Sequence, residues 1–147
     1  MIKLTEQQIN EIADFLDSGM KCFYNKSTGE IKTIPNFDSC NMADEEPWEE
    51  DLKELDENRE DYLEFDNMSS RESFEVMADF SENIDDPILR NKLINALNRP
   101  KPFRNFKWQI DNSGEYRQIW FDFKHKRYIE WVTEQLDNFN RIEDNEY

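Results

Sequence analysis

A chain of 147 residues with 34 Asp and Glu against 18 Lys and Arg carries a formal net charge of -16. Such a charge repels phosphates at long range, which argues against DNA, RNA and anionic membranes as general partners and favours basic proteins. Aromatic residues, at 14%, are too many for a disordered chain, and three Gly with five Pro are too few for an all-β protein.

The elements expected in chain order give an α+β class: an N-terminal helix, a small antiparallel sheet and a C-terminal helical cluster. Thr5-x-x-Gln8 fits a capping box, and Ile9, Ile12, Ala13 and Leu16 recur at helical spacing until Asp17-Ser18-Gly19 stops the helix. Met20 to Asn25 and Ile31 to Ile34 form the best hairpin signal, with Gly29 supplying a positive φ and Pro35 ending the second strand. Residues 38 to 66 hold 14 Asp and Glu against Lys53 and Arg59, a net of -12. Within them Pro47 suits a first helical turn. Trp48, Leu52 and Leu55 make a narrow apolar stripe, so a solvated helix docked along one edge is expected. Asp61 to Asp66 alternates in part and is the expected third strand.

Ser69-x-x-Glu72 is a second capping box, opening a helix to about Asn83 with Phe74, Met77, Ala78 and Ile84 inward. Asp86-Pro87 opens another helix, to Asn98, that buries Leu89, Leu93, Ala96 and Leu97. A helix over Pro102 to Asn112 groups Phe103, Phe106 and Ile110, with Trp108 elsewhere, and Gly114 separates it from the last helix. That helix, about Glu115 to Phe139, is apolar on two sides. Tyr116, Ile119, Trp120, Phe123 and Trp131 fall on one, and Phe121, Tyr128, Val132, Leu136 and Phe139 on the other, so it is expected to be sandwiched or broken near Lys124. Residues 1–139 are read as one domain, 38–60 as a mobile acidic segment and 140–147 as a polar tail. Phe103, Phe106, Trp120 and Phe123 are the expected core aromatics.

Three runs carry a resemblance. Ala96 to Lys107 reads ALNRPKPFRNFK, Ile119 to Lys124 reads IWFDFK, and Glu130 to Leu136 reads EWVTEQL. Together with the hairpin turn Thr28-Gly29-Glu30 and the acidic middle, these resemble Uncharacterised Protein Family 0158. Members carry Gly shortly before the Phe-x-x-Phe-Lys run, where Pro100 and Pro102 stand in this chain. The resemblance implies a small bacterial cytosolic protein of undetermined activity and assigns no catalytic residue.

The chemistry-bearing residues point to binding rather than catalysis. Arg99 to Arg127 is the one basic stretch, with eight Lys and Arg against three Asp and Glu, a net of +5 against -21 for the remaining chain. Arg99, Lys101, Arg104, Lys107, Arg117 and Lys124 are its candidate binding residues. Trp48 is the candidate on the acidic segment. Such cations either meet a phosphate or an acidic partner, or pair with the chain's own carboxylates and cover the aromatic core. The second use is favoured, because residues 124 to 127 point to four sides of a helix. His125 is the only His; the chain lacks GxGxxG, P-loop, HExxH and CxxC patterns, and its Asp/Glu clusters lack Ca²⁺-loop spacing, so no metal or cofactor is expected. Cys22 and Cys40 are read as two reduced thiols. With no signal-peptide pattern and no apolar run of membrane-spanning length, the expected location is cytoplasmic. The expected function is a non-enzymatic binding or regulatory protein engaging another macromolecule, a protein first. The alternatives are nucleic-acid association through the 99–127 stretch and an acidic mimic of nucleic acid.

Overall fold

The computed structural model describes residues 1–37 and 45–145. Cys40 and the first part of the 38–60 segment lie outside the described residues. The chain divides into two compact units. One is built from Met1–Asn67 with Tyr128–Tyr147, the other from Met68–Arg127.

The first unit contains the sheet. Helix α1 (Glu6–Asp17) starts at the expected capping box: Gln8 N–H donates to Thr5 Oγ1 at 3.1 Å, and Thr5 N–H donates to the Gln8 side chain at 2.9 Å. Strands β1 (Met20–Asn25) and β2 (Ile31–Pro35) form the hairpin, with Gly29 at φ +78 in its loop. Strand β3 (Tyr62–Phe65) pairs antiparallel with the other side of β1, giving the order β2-β1-β3. Pro35 closes an edge strand, where a missing N–H costs no ladder bond. Cys22 lies opposite both Thr33 and Phe65, so these residues share one sheet face. Ile12, Ala13, Leu16, Cys22 and Phe65 pack there with Val132 and Leu136, which belong to helix α6 (Tyr116–Asn145).

Helix α2 (Glu49–Glu57), entered through a 3-10 turn at Glu46–Trp48, lies against the opposite sheet face. Leu55 and Ile34 are buried there. Lys32, on that face, pairs with Asp51 at 3.1 Å and with Glu54, which also accepts from the Tyr62 hydroxyl at 2.9 Å. The acidic helix is therefore held by a cation of the sheet. Residues beyond Phe139, expected as a polar tail, remain helical through Asn145. Asn140 ties this turn down: it accepts from Ile2 N–H at 2.8 Å and donates to Ile2 C=O at 3.0 Å.

The second unit is helical: α3 (Ser70–Asn83), α4 (Pro87–Leu97), α5 (Pro102–Asp111) and the first three turns of α6. The Ser69–Glu72 capping box and the Asp86 cap, which accepts from Ile88 and Leu89 N–H, both form. Trp120 is central, edge-on to Phe80 at 5.2 Å and to Phe106 at 4.9 Å between ring centres. On α4 the buried residues are the expected Leu89, Leu93, Ala96 and Leu97. On α3 they are Val76, Met77, Phe80 and Ser81, with Phe74, Ala78 and Ile84 only half-buried. The stripe is offset because Ser81 lies on it, its hydroxyl donating to Met77 C=O at 2.8 Å.

Two further expectations are corrected. Phe103 is 43% exposed rather than core. It shares a helical side with Phe106 and Ile110, but it stands in the first turn of α5, at the end of the packed stripe. Helix α6 is not broken near Lys124 but runs continuously from Tyr116 to Asn145. Tyr116, Trp120, Phe121 and Phe123 serve the core of the helical unit, and Tyr128, Trp131, Val132, Leu136 and Phe139 serve that of the sheet unit. Its N-terminal part serves one core and its C-terminal part the other, with residues of both apolar sides in each. Among the described residues no helix is long and apolar enough to cross a membrane.

Candidate binding face

The basic stretch resolves into two groups with different surroundings. Arg117 and Lys124, on α6, are engaged within the helical unit. Arg117 pairs with Asp111 at 3.3 Å and covers the Phe121 ring at 4.7 Å. Lys124 lies 5.2 Å from the same ring centre and 5.7 Å from that of Trp120. Arg127 donates to Asp79 at 2.7 Å. These stems and charges cover the core, as long cationic side chains commonly do.

Arg99, Lys101, Arg104 and Lys107 are different. All four are exposed, and none makes an ion pair with a described residue. They come from the turn after α4 and from α5, and the structure adds Arg90 and Lys92 of α4 to them. Residues 87 to 110 hold these six cations and no Asp or Glu. No such run exists elsewhere in a chain of net charge -16.

Pro100 and Pro102 flank Lys101, and Pro102 takes the first position of α5. Lys101 is in the left-handed region, at φ +60 and ψ +54, the one non-glycine with positive φ among the described residues. A residue before proline is ordinarily extended. The Asn105 side chain steadies the turn by donating to Pro100 C=O at 2.9 Å.

Trp108 stands on this face, 62% exposed, and its indole N–H has no partner among the described residues. It is shared by two open depressions. One, of about 540 Å3, is bordered by Lys101, Arg104, Asn105 and Lys107. The other, of about 360 Å3, is bordered by Lys92, Asn95, Arg99 and Gln109. Asp111 reaches the first depression, but its carboxylate is already paired with Arg117. Sequence reading had placed Trp108 off the core yet had not counted it, Lys92 or the three amides as binding residues. The available signal was the absence of acid from residue 87 onward, hidden by a window that began at Arg99.

Trp48 stands in the sheet unit, half-buried in the turn before α2. The same unit has an open depression of about 580 Å3 lined by Phe23, Ile34, Leu52, Leu55 and Tyr62. Asp56, Arg59 and Glu64 line it too, so its border is charged as well as apolar. Cys22, the thiol described, is fully buried, and burial pushes its pKa up to about 12, which keeps it neutral and unreactive. Among the described residues no three His, Cys, Asp or Glu side chains are arranged to hold a metal ion. His125 is half-buried on α6.

Comparison with known proteins agrees with the resemblance seen in the sequence. The family model described as uncharacterised protein family UPF0158 matches residues 2–145. The chain is 30% identical over 132 residues to UPF0158 protein PA5073 of Pseudomonas aeruginosa, covering 88% of this chain and 80% of that one. No solved structure matches.

Proposed function

This chain belongs to the UPF0158 family, and we propose that it is a non-enzymatic binding protein that engages an anionic macromolecule through the α4–α5 face. The observation that carries this reading is the set of five exposed cations, Lys92, Arg99, Lys101, Arg104 and Lys107, that line two depressions with the exposed Trp108, where the one carboxylate, Asp111, is already paired with Arg117. Cations left without internal partners, beside a large unburied ring, have the composition of a docking surface rather than of a solvated helix. The test is retention of the purified protein on immobilised heparin at low salt. Wild type is expected to be retained in spite of its net charge, and the Arg104→Glu, Lys107→Glu double variant to flow through. Wild type flowing through would end the proposal.

A second reading keeps a protein partner at the sheet unit. It is favoured by α2, whose outward Glu49, Glu50, Asp56 and Glu57 are solvent-exposed beside Trp48. Capture of a basic protein that is weakened by Trp48→Ala together with Glu49→Lys would support it. Equal capture by wild type and variant would remove it.

A further inference from the structure

We infer that the anionic partner of the α4–α5 face is a single-stranded nucleic acid, held by phosphate contacts on both sides of a base stacked on Trp108. This rests on the reading of that face as a binding surface and names the class of ligand.

The arrangement of the two depressions carries the inference. Trp108 and Asn105 line both depressions, so the exposed indole borders two basic hollows instead of one. Lys101, Arg104 and Lys107 stand on one side, and Lys92 and Arg99 on the other. A strand passing over the ring would meet cations before and after the stacked base. That alternation of charge and aromatic platform is how single strands are bound without sequence preference. The amides of Asn95 and Gln109 line the same hollows and can donate to and accept from base edges. An acidic peptide would use the cations but leave the exposed indole with nothing to stack on it. A duplex would meet the cations too, but its bases are already stacked on one another.

The chain's net charge does not forbid this. At physiological ionic strength the Debye length is about 8 Å, so carboxylates beyond that distance are largely screened. Contacts at hydrogen-bond range are set by the side chains that make them, and those between residues 87 and 110 include no acid. The acidic surfaces lower the affinity most at low salt, where they are least screened, while the cation–phosphate contacts make binding fall as salt rises.

The experiment is fluorescence anisotropy with labelled mixed-sequence RNA and DNA single strands of about 12 nucleotides, within the usual range of site sizes. The same-length duplex and poly-glutamate serve as competitors. If about four cations meet phosphates, log affinity falls against log salt with a slope of about -3, roughly a 60-fold loss between about 50 and 200 mM. Arg104→Glu with Lys107→Glu is expected to abolish binding. Trp108→Ala is expected to cost about tenfold with the salt slope unchanged, and Trp108→Phe to restore most of it. All three residues are exposed, so an unchanged melting temperature confirms that the variants fold. Equal binding of duplex and single strand, or no effect of Trp108→Ala, would overturn the inference. Poly-glutamate binding that ignores Trp108, with no binding of either strand, would also overturn it while leaving the face a docking site for acidic protein. Failure of every probe, heparin included, would remove the face itself.

Discussion

The two units of this chain solve the same problem with opposite surfaces. The sheet unit has 25 Asp and Glu against seven Lys and Arg, a net of -18. The helical unit has nine against eleven, a net of +2. Each builds a core of aromatic and aliphatic side chains and spends its minority charge differently. The sheet unit uses Lys32 to clamp its own acidic helix. The helical unit engages Arg117, Lys124 and Arg127 around its core and leaves Arg99, Lys101, Arg104 and Lys107 outward. A net charge summed over the whole chain therefore describes neither surface.

The comparison can be broken most severely at the cores. Phe65→Ala in the sheet unit and Phe106→Ala in the helical unit, both fully buried, are each expected to cost about 3–5 kcal/mol. Amide exchange should then show β1 and β3 losing protection first in the one, and α3 to α5 in the other. Loss of protection spread evenly over the whole chain in both variants would erase the division.

A smaller effect is expected from alkali. The Cys22 thiol titrates near its ordinary value of 9.0 when unfolded and is pushed up to about 12 when folded. Above pH 9 the unfolded chain releases a proton that the folded chain retains, so stability falls with rising pH until about 12. The slope from this group is at most about 1.4 kcal/mol per pH unit. Urea titrations of wild type and Cys22→Ala should diverge in their pH dependence above that point, and parallel curves would contradict the burial.

Lys101→Gly tests the strained turn beside the binding face. Relief of the left-handed conformation is expected to stabilise the chain by about 1 kcal/mol, part of it returned as chain entropy. The least effect belongs to Lys32→Met. It should lower the melting temperature slightly and raise amide exchange in α2 alone. Glu54, whose carboxyl is held below its ordinary range by Lys32 and Tyr62, loses this contribution as pH falls through its folded value. An α2 that stays protected without Lys32 would move its anchorage to Leu55.

What could be read from the sequence was local. The capping boxes at Thr5 and Ser69, the Asp86-Pro87 start and the Gly29 loop are fixed by neighbours within four residues, and all of them form. The Leu89–Leu97 stripe was legible because every residue on it is apolar. The α3 stripe was not, because Ser81 is polar yet satisfied by its own helix. Helix α6 misled because periodicity reports which sides are apolar but not at which points along the axis each is covered. The candidate face was half legible: its cations were visible, but whether they met carboxylates depended on folding. Only the positions of Asp111 and Asp79 showed which cations were already taken.

The bond between Asp66 and α6 has a consequence in time. The Trp131 indole N–H donates to Asp66 C=O at 2.7 Å, and Gln135 both accepts from Asp66 N–H at 2.8 Å and donates to its C=O at 3.2 Å. These bonds close a ring of chain whose interior is the entire helical unit. During synthesis the hairpin and β3 leave the ribosome with one sheet face lacking Val132 and Leu136. They must wait through residues 68–127, about 3–12 s at ordinary elongation rates. The helical unit is one unbroken segment, and its buried core, from Val76 to Trp120, is complete in the chain before Val132 and Leu136 are made. The acidic N-terminal half spends that interval with Cys22 and Phe65 covered by α1 but not by α6, and the same carboxylates that give the chain its charge oppose its sticking to neighbours.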